Sequence, residues 1–286
     1  MRGTGTRATK VWLSPSLVDG FEYQEAGSSA WTQVVAPDGR LSSQTPLAKE
    51  ICVAVETIGS DASWAYLSSG DGQYRCSAAA VDALPAVDER CFLSGTADIT
   101  LLDAGATLCD QMQLLRERFK AGTMYTRVGP IETGTLISIN PCTGARIGGA
   151  EGGAVADDFV KRTAHLFGTL AAALLDLKTS GRSQAVVFTG ESGSGKTFAA
   201  SAAVDFLVRN SAGGAGGGAG VDHKIRAATS LLHAFCQAPT SANENASRGG
   251  CATRLFFEAD GTLAGASFEL LPLALDAVAR DPRSTG

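Results

Sequence analysis

Between residues 10 and 80 the apolar positions come in short runs separated by turn-forming residues. Residues 32–35 and 51–55 are β-like, and Gly27, Asp38-Gly39 and Asp71-Gly72 punctuate the stretch. That pattern predicts a β-rich unit over residues 1–80, with Trp12, Trp31 and Trp64 supplying its core. Residues 77–90 read as a connector into the remainder, residues 81–286.

After Asp98 the period lengthens. Leu108, Met112, Leu115 and Phe119 fall on one helical face, with Arg116, Glu117, Arg118 and Lys120 as its solvated side. A β-like run, residues 135–139, ends at Asn140-Pro141, and residues 144–153 form a loop. Leu166, Leu170, Ala173, Leu174 and Leu177 mark another amphipathic helix, stopped near Ser180-Gly181. Residues 185–189 are continuously apolar, which predicts a strand buried on both faces of a parallel sheet. Ala200, Ala203, Val204, Leu207 and Val208 then space out a helix as far as Asn210. Residues 211–220, almost all Gly and Ala, predict a mobile surface loop. A helix around 225–236 follows, and residues 254–258 and 263–270 flank Asp260-Gly261 as a hairpin.

A chain of 286 residues that is 44% hydrophobic can bury one large core or two smaller ones. The formal net charge is −5 and there is no dense basic stretch, which argues against a nucleic-acid partner. The longest greasy stretch, residues 170–177, contains Asp176 and is too short to span a bilayer. No apolar core of signal-peptide length follows the basic start, so the expectation is a soluble, cytoplasmic protein. Seven singly spaced cysteines predict reduced thiols, and His165 and His233, on helical segments, predict packing or capping roles.

Chemistry enters at residues 190–197. Gly190, Glu191, Ser192, Gly193, Ser194, Gly195, Lys196 and Thr197 match the Walker A pattern at every fixed position. Glycines let the backbone curl so that successive N–H groups face one anion, and the helix that follows adds its positive end. Lys196 is expected to reach the outer phosphates and the Thr197 hydroxyl to sit on Mg²⁺. The motif lies between an apolar run and an amphipathic helix, the context this mechanism requires.

The stretch 184–197 closely resembles the P-loop of myosin motor heads, and the neighbouring features are collinear with that family. Asp98-Ile99-Thr100 before a helix ending in Arg118-Phe119, then Tyr125-Thr126, resembles the start of the motor core. Ile139-Asn140-Pro141 resembles the adenine-side loop, and residues 164–167 the helix entering the P-loop strand. Residues 232–235, with Ala238 and Thr240, resemble the segment leading to switch I, which reads Asn243 to Arg248 within a loop at 243–250. The resemblance covers roughly Asp98 to Leu271.

It implies an α/β fold: a P-loop NTPase core of myosin type, as an incomplete mixed sheet flanked by helices, with a small N-terminal β-rich, SH3-like subdomain. It also implies ATP and Mg²⁺ as ligands, an actin filament as partner, light chains in a full-length form, and a cytoskeletal location. Carried over residue by residue, positions 190–197 cradle the phosphates and Asn140 and Pro141 border the adenine. Asn243 and Asn245 hold nucleotide oxygens, and Thr197 and Ser247 complete the Mg²⁺ shell. Ser247 and Arg248 serve catalysis, Arg248 through an ion pair that locks the closed state.

The sequence departs from the family at Ala246, where a serine is usual, and at Gly249-Gly250-Cys251. At about Gly148 the family carries an aromatic residue. It also stops at Gly286, ahead of the family's switch II. The expectation is therefore the ATP-binding portion of a motor, holding nucleotide but turning it over poorly, with residues 185–189 deprived of their usual neighbours. Two other readings remain: a compact P-loop kinase in which Glu258 or Asp260 helps hold Mg²⁺, and a non-catalytic remnant.

Overall fold

Strand β1 (Lys10–Leu13) is buried on both sides, and its alternation explains how the N-terminal half is layered. In the computed structural model Val11 and Leu13 point into one apolar core and Trp12 into another. The structure describes residues 10–36, 38–50, 52–61, 63–96, 98–102, 104–130, 134–142, 164–211, 220–238 and 246–272. The chain divides into two units, Met1–Thr123 and Met124–Gly286.

The first unit is built on a six-stranded antiparallel sheet. After β1 come β2 (Glu22–Glu25), β3 (Thr32–Gln33), β4 (Val53–Ser60), β5 (Ala65–Ser69) and β6 (Gly72–Cys76), in spatial order β1-β4-β5-β6-β2-β3. Phe21, Tyr23, Val34, Val55, Leu67 and Tyr74 fill its main core. Each fully buried large apolar side chain contributes about 1.5–3 kcal/mol. Burial pushes the Cys76 thiol up to about 11 and the Cys91 thiol up to about 12, so both behave as small apolar groups.

Helix α1 (Ala78–Asp82) interrupts the expected connector: its alanines favour a helix, and the Ser77 hydroxyl accepts from Ala80 N–H at its start. Helix α2 (Leu108–Lys120) buries a different face from the one its apolar residues mark. Asp110, Leu114 and Arg118 turn inward, while Leu108 is 68% exposed and Phe119 40%. The reason is hydrogen bonding. Asp110 accepts from Trp12 Nε1 (2.7 Å), Asp88 N (2.8 Å), Thr107 N (2.6 Å) and Thr107 Oγ1 (2.7 Å), and Arg118 Nη1 donates to the carbonyls of Ser94 and Thr96. Polar residues so well partnered can be buried, and Arg118 is not part of a solvated face.

The tryptophans also divide. Trp12 is 1% exposed, whereas Trp31 and Trp64 lie half-buried outside the core with the Arg75 guanidinium 4.4 and 4.6 Å from their ring centres. Arg75 is further tied to Glu22. The two outer indoles hold a cation rather than fill a core.

The second unit mixes helices and strands, an α/β arrangement. Strands β7 (Tyr125–Val128) and β8 (Thr135–Ser138) form an antiparallel hairpin. Helices α3 (Leu166–Ser180), α4 (Lys196–Asn210) and α5 (Val221–Cys236) follow. Strand β9 (Gln237–Ala238) pairs with β10 (Ala246–Ser247), and β11 (Gly249–Phe257) with β12 (Leu263–Pro272), both antiparallel. Tyr125, Ala164, Leu166, Leu170, Ala203 and Phe206 make the core, with the Phe167 and Phe206 rings stacked at 4.7 Å.

Residues 185–189 are not the buried strand their composition predicts. They form no strand, no described strand pairs with them, and Val187 is 84% exposed. An apolar run can specify burial only where a partner surface covers it. The Gly/Ala stretch falls on residues 212–219, outside the described residues, as do residues 144–153.

Candidate functional site

The loop before α4 is closed by short-range hydrogen bonds to its own carbonyls. Ser194 N–H donates to Glu191 O (3.2 Å), closing a turn, and Lys196 Nζ bridges Gly190 O (2.7 Å) and Glu191 O (2.6 Å). Glycine is needed at two points. At Gly190 φ is 147° and a Cβ would come within 2.8 Å of Ser194 Oγ; at Gly195 φ is 90°. Gly195 leads into α4, whose start carries no side-chain cap. The first amides of this 15-residue helix therefore remain available to an anion, beside an ammonium group.

A second element closes on this loop. The chain leaves β8 at Ile139, whose N–H donates to Met124 O (3.0 Å), and presents Asn140. Asn140 Nδ2 donates to Gly193 O (2.9 Å), and Asn140 Oδ1 accepts from Cys142 N–H (3.0 Å). Pro141 follows and holds Asn140 out of the helical region.

The third element comes from β10. Pairing of Ser247 with Gln237 across β9 and β10, with Arg248 N–H donating to Cys236 O (2.8 Å), fixes the backbone on either side of Ser247. The Ser247 and Thr197 hydroxyls then lie 2.7 Å apart although 50 residues separate them. Ala246 turns the other way and is 3% exposed. Arg248 is half-buried and makes no ion pair among the described residues. Asn243 and Asn245 lie outside the described residues.

Asn140, Gly193, Lys196, Thr197 and Ser247 thus belong to one connected region, in which Glu191 contributes its carbonyl and Pro141 flanks Asn140. Ser192 is exposed in the turn. Glu258 and Asp260 are at the β11–β12 turn, where Asp260 accepts from Thr262 N–H (2.8 Å) and this bond lowers its carboxyl below the usual range. Among the described residues neither carboxylate bonds to the loop at 190–197. His165 caps α3: its Nδ1 accepts from Phe167 N–H (3.1 Å), as expected from its place at a helix start. What residue types alone could not reveal is the part played by main-chain carbonyls, those of Gly190, Glu191 and Gly193.

The family model described as myosin head (motor domain) matches residues 100–274, more than half of the chain. The chain is 32% identical to myosin-4 of Arabidopsis thaliana over 166 residues, 58% of this chain and 14% of that protein. It is 33% identical to myosin-2 of the same plant over 155 residues, covering 54% and 12%. Against unconventional myosin-Ic of Rattus norvegicus it is 30% identical over 202 residues, covering 68% and 19%. The chain thus spans less than a fifth of the length of each of these relatives.

Proposed function

Because this chain belongs to the myosin head (motor domain) family, we propose that it is the ATP-binding portion of a myosin-type, actin-based motor. The observation that carries the reading is the 2.7 Å approach of the Thr197 and Ser247 hydroxyls beside the loop at 190–197. The first turn of α4 and strand β10, far apart in sequence, supply neutral, hard oxygen atoms at a helix N-terminus, the donor set that suits Mg²⁺ shared with phosphates.

In this reading the second unit is a P-loop NTPase core of myosin type, and the sheet of the first unit is its SH3-like subdomain. The amides of residues 190–197 receive the phosphates, and Lys196 exchanges its two carbonyls for phosphate oxygens. Asn140 and Pro141 border the nucleotide, and Asn243 and Asn245 hold nucleotide oxygens. Thr197 and Ser247 would hold Mg²⁺, whose charge would offset that of the phosphate oxygens. Ser247 and Arg248 would close over the terminal phosphate. At position 246 a buried methyl stands where a hydroxyl would help position the attacking water, so hydrolysis by this chain is slow. An actin filament, light chains and a place in a cytoskeletal myosin complex follow from the family, as properties of the longer proteins.

Binding of Mg-ATP to the chain and to Lys196→Ala, with phosphate release followed in parallel, tests this. Binding weakened at least about tenfold in the variant, with little release, is expected. Equal affinity in both proteins, or none in the wild type, overturns the nucleotide reading. Rapid release by the wild type overturns slow hydrolysis alone.

A further inference from the structure

Asn140 stands where the family's resemblance places a base contact, yet both ends of its side-chain amide are engaged with protein. Its Oδ1 accepts from Cys142 N–H at 3.0 Å and its Nδ2 donates to Gly193 O at 2.9 Å. We propose that Asn140 is a positioning residue of the phosphate loop: it fixes the orientation of the Gly193–Ser194 peptide, and so the affinity for the polyphosphate part of a nucleotide. This role rests on the nucleotide reading above.

The geometry carries the argument. A trans peptide is planar, so its carbonyl and its N–H point in opposite directions and cannot turn independently. The Gly193 carbonyl is held by Asn140, and the Ser194 N–H on the far side of that plane is held by Glu191 O at 3.2 Å. Glu191 O in turn accepts from Lys196 Nζ at 2.6 Å. A continuous run of hydrogen bonds therefore joins Asn140 to the lysine that would meet the phosphates. Gly193, with φ of 80° and nothing within 4 Å of where a Cβ would stand, has no side chain to restrain this peptide. Without an outside donor on its carbonyl, a peptide that follows glycine is freer to flip and aim that carbonyl at incoming anions.

Asn140 is equipped to be that donor. The Cys142 N–H locks its rotamer, Pro141 limits its backbone, and Ile139 N–H anchors the segment to Met124 O at 3.0 Å. A Cβ built on Gly195 would lie 3.6 Å from Asn140 Cγ and Nδ2, so the amide also packs flush against the last residue before α4. One Nδ2–H and one Oδ1 lone pair of the amide are thus engaged within the protein.

Asn140→Ala and Asn140→Ser separate the alternatives when tested against Mg-ATP and Mg-tripolyphosphate, which has no base. Serine can still accept from Cys142 N–H but is too short to reach Gly193 O. Both variants are expected to lose about three- to tenfold in affinity for each ligand, by the same factor, with an unchanged thermal melt. The ¹⁵N amide resonance of Ser194, which senses the bond on the preceding carbonyl, is expected to move in Asn140→Ser before any ligand is added. Loss of ATP affinity with tripolyphosphate binding intact would show that Asn140 reads the base and overturn the proposal. So would unchanged affinity for both ligands, or an unmoved Ser194 resonance. Wild-type chain that binds neither ligand removes the nucleotide reading and this role together.

Discussion

The Trp12 indole nitrogen donates to Asp110 Oδ1 at 2.7 Å, and both side chains are sealed from solvent at 1% and 0% exposure. Asp110 is the meeting point of four donors: one from β1, one from Asp88 and two from Thr107. It is therefore both the capping-box residue of α2 and the bolt between α2 and β1. Asp110→Ala leaves those donors buried without an acceptor and is expected to cost about 3 kcal/mol. Urea unfolding measures it, together with exchange protection of the Trp12 indole proton. Unchanged stability would mean that water replaces the carboxylate at no cost.

His165 gives the second unit a pH dependence. Burial holds its imidazole below the ordinary value of about 6.5, and the cap on Phe167 N–H requires Nδ1 to be unprotonated. The unfolded chain binds the proton more readily, so the cap's contribution is complete above about pH 6.5 and declines as pH falls below it. Loss of helical circular dichroism on urea titration, compared at pH 7.5 and 5.5, follows this decline. His165→Asn can still accept at the helix start but does not titrate. Its unfolding is expected to lack that share of the pH dependence; a difference between the two pH values equal to that of the wild type would refute the assignment.

Ser247 separates metal from nucleotide. Its hydroxyl lies 2.7 Å from Thr197 Oγ1, and under the proposed function both oxygens face Mg²⁺. Ser247→Ala is expected to weaken ATP binding about tenfold with Mg²⁺ and to leave it unaltered in EDTA. Equal losses in both conditions would point to a phosphate contact instead.

Residues 185–189 are an association hazard. Val187 is 84% exposed and Val186 39%, in an apolar run that no described strand pairs. Such a segment templates pairing with another chain, and a lysine on it blunts that tendency. Sedimentation velocity of the wild type is expected to show self-association over a concentration series, about tenfold weaker in Val187→Lys. A monomeric wild type at all concentrations would refute this.

Local chemistry was readable from sequence and non-local chemistry was not. The hairpin around Asp260-Gly261, helix α3 ending at Gly181 and the helix after Lys196 all follow from short-range periodicity and turn residues. The face of α2 does not, because hydrophobicity ranks Leu108 and Phe119 above Asp110 and Arg118. It cannot know that Trp12, 98 residues away, will supply a donor. Trp31 and Trp64 read as core because nothing local announces that Arg75 will lie between them. At the candidate site the residue types of the loop are legible in the motif. The links from Asn140 to Gly193 and from Thr197 to Ser247 cross 53 and 50 residues and needed the fold.

All three tryptophans, at positions 12, 31 and 64, belong to the first unit, and the loop at 190–197 belongs to the second. Indole emission therefore arises wholly within the first unit. An unfolding step seen in helical circular dichroism but silent in indole emission would thus belong to the second unit, so the chain carries its own optical means of telling which of its parts melts first.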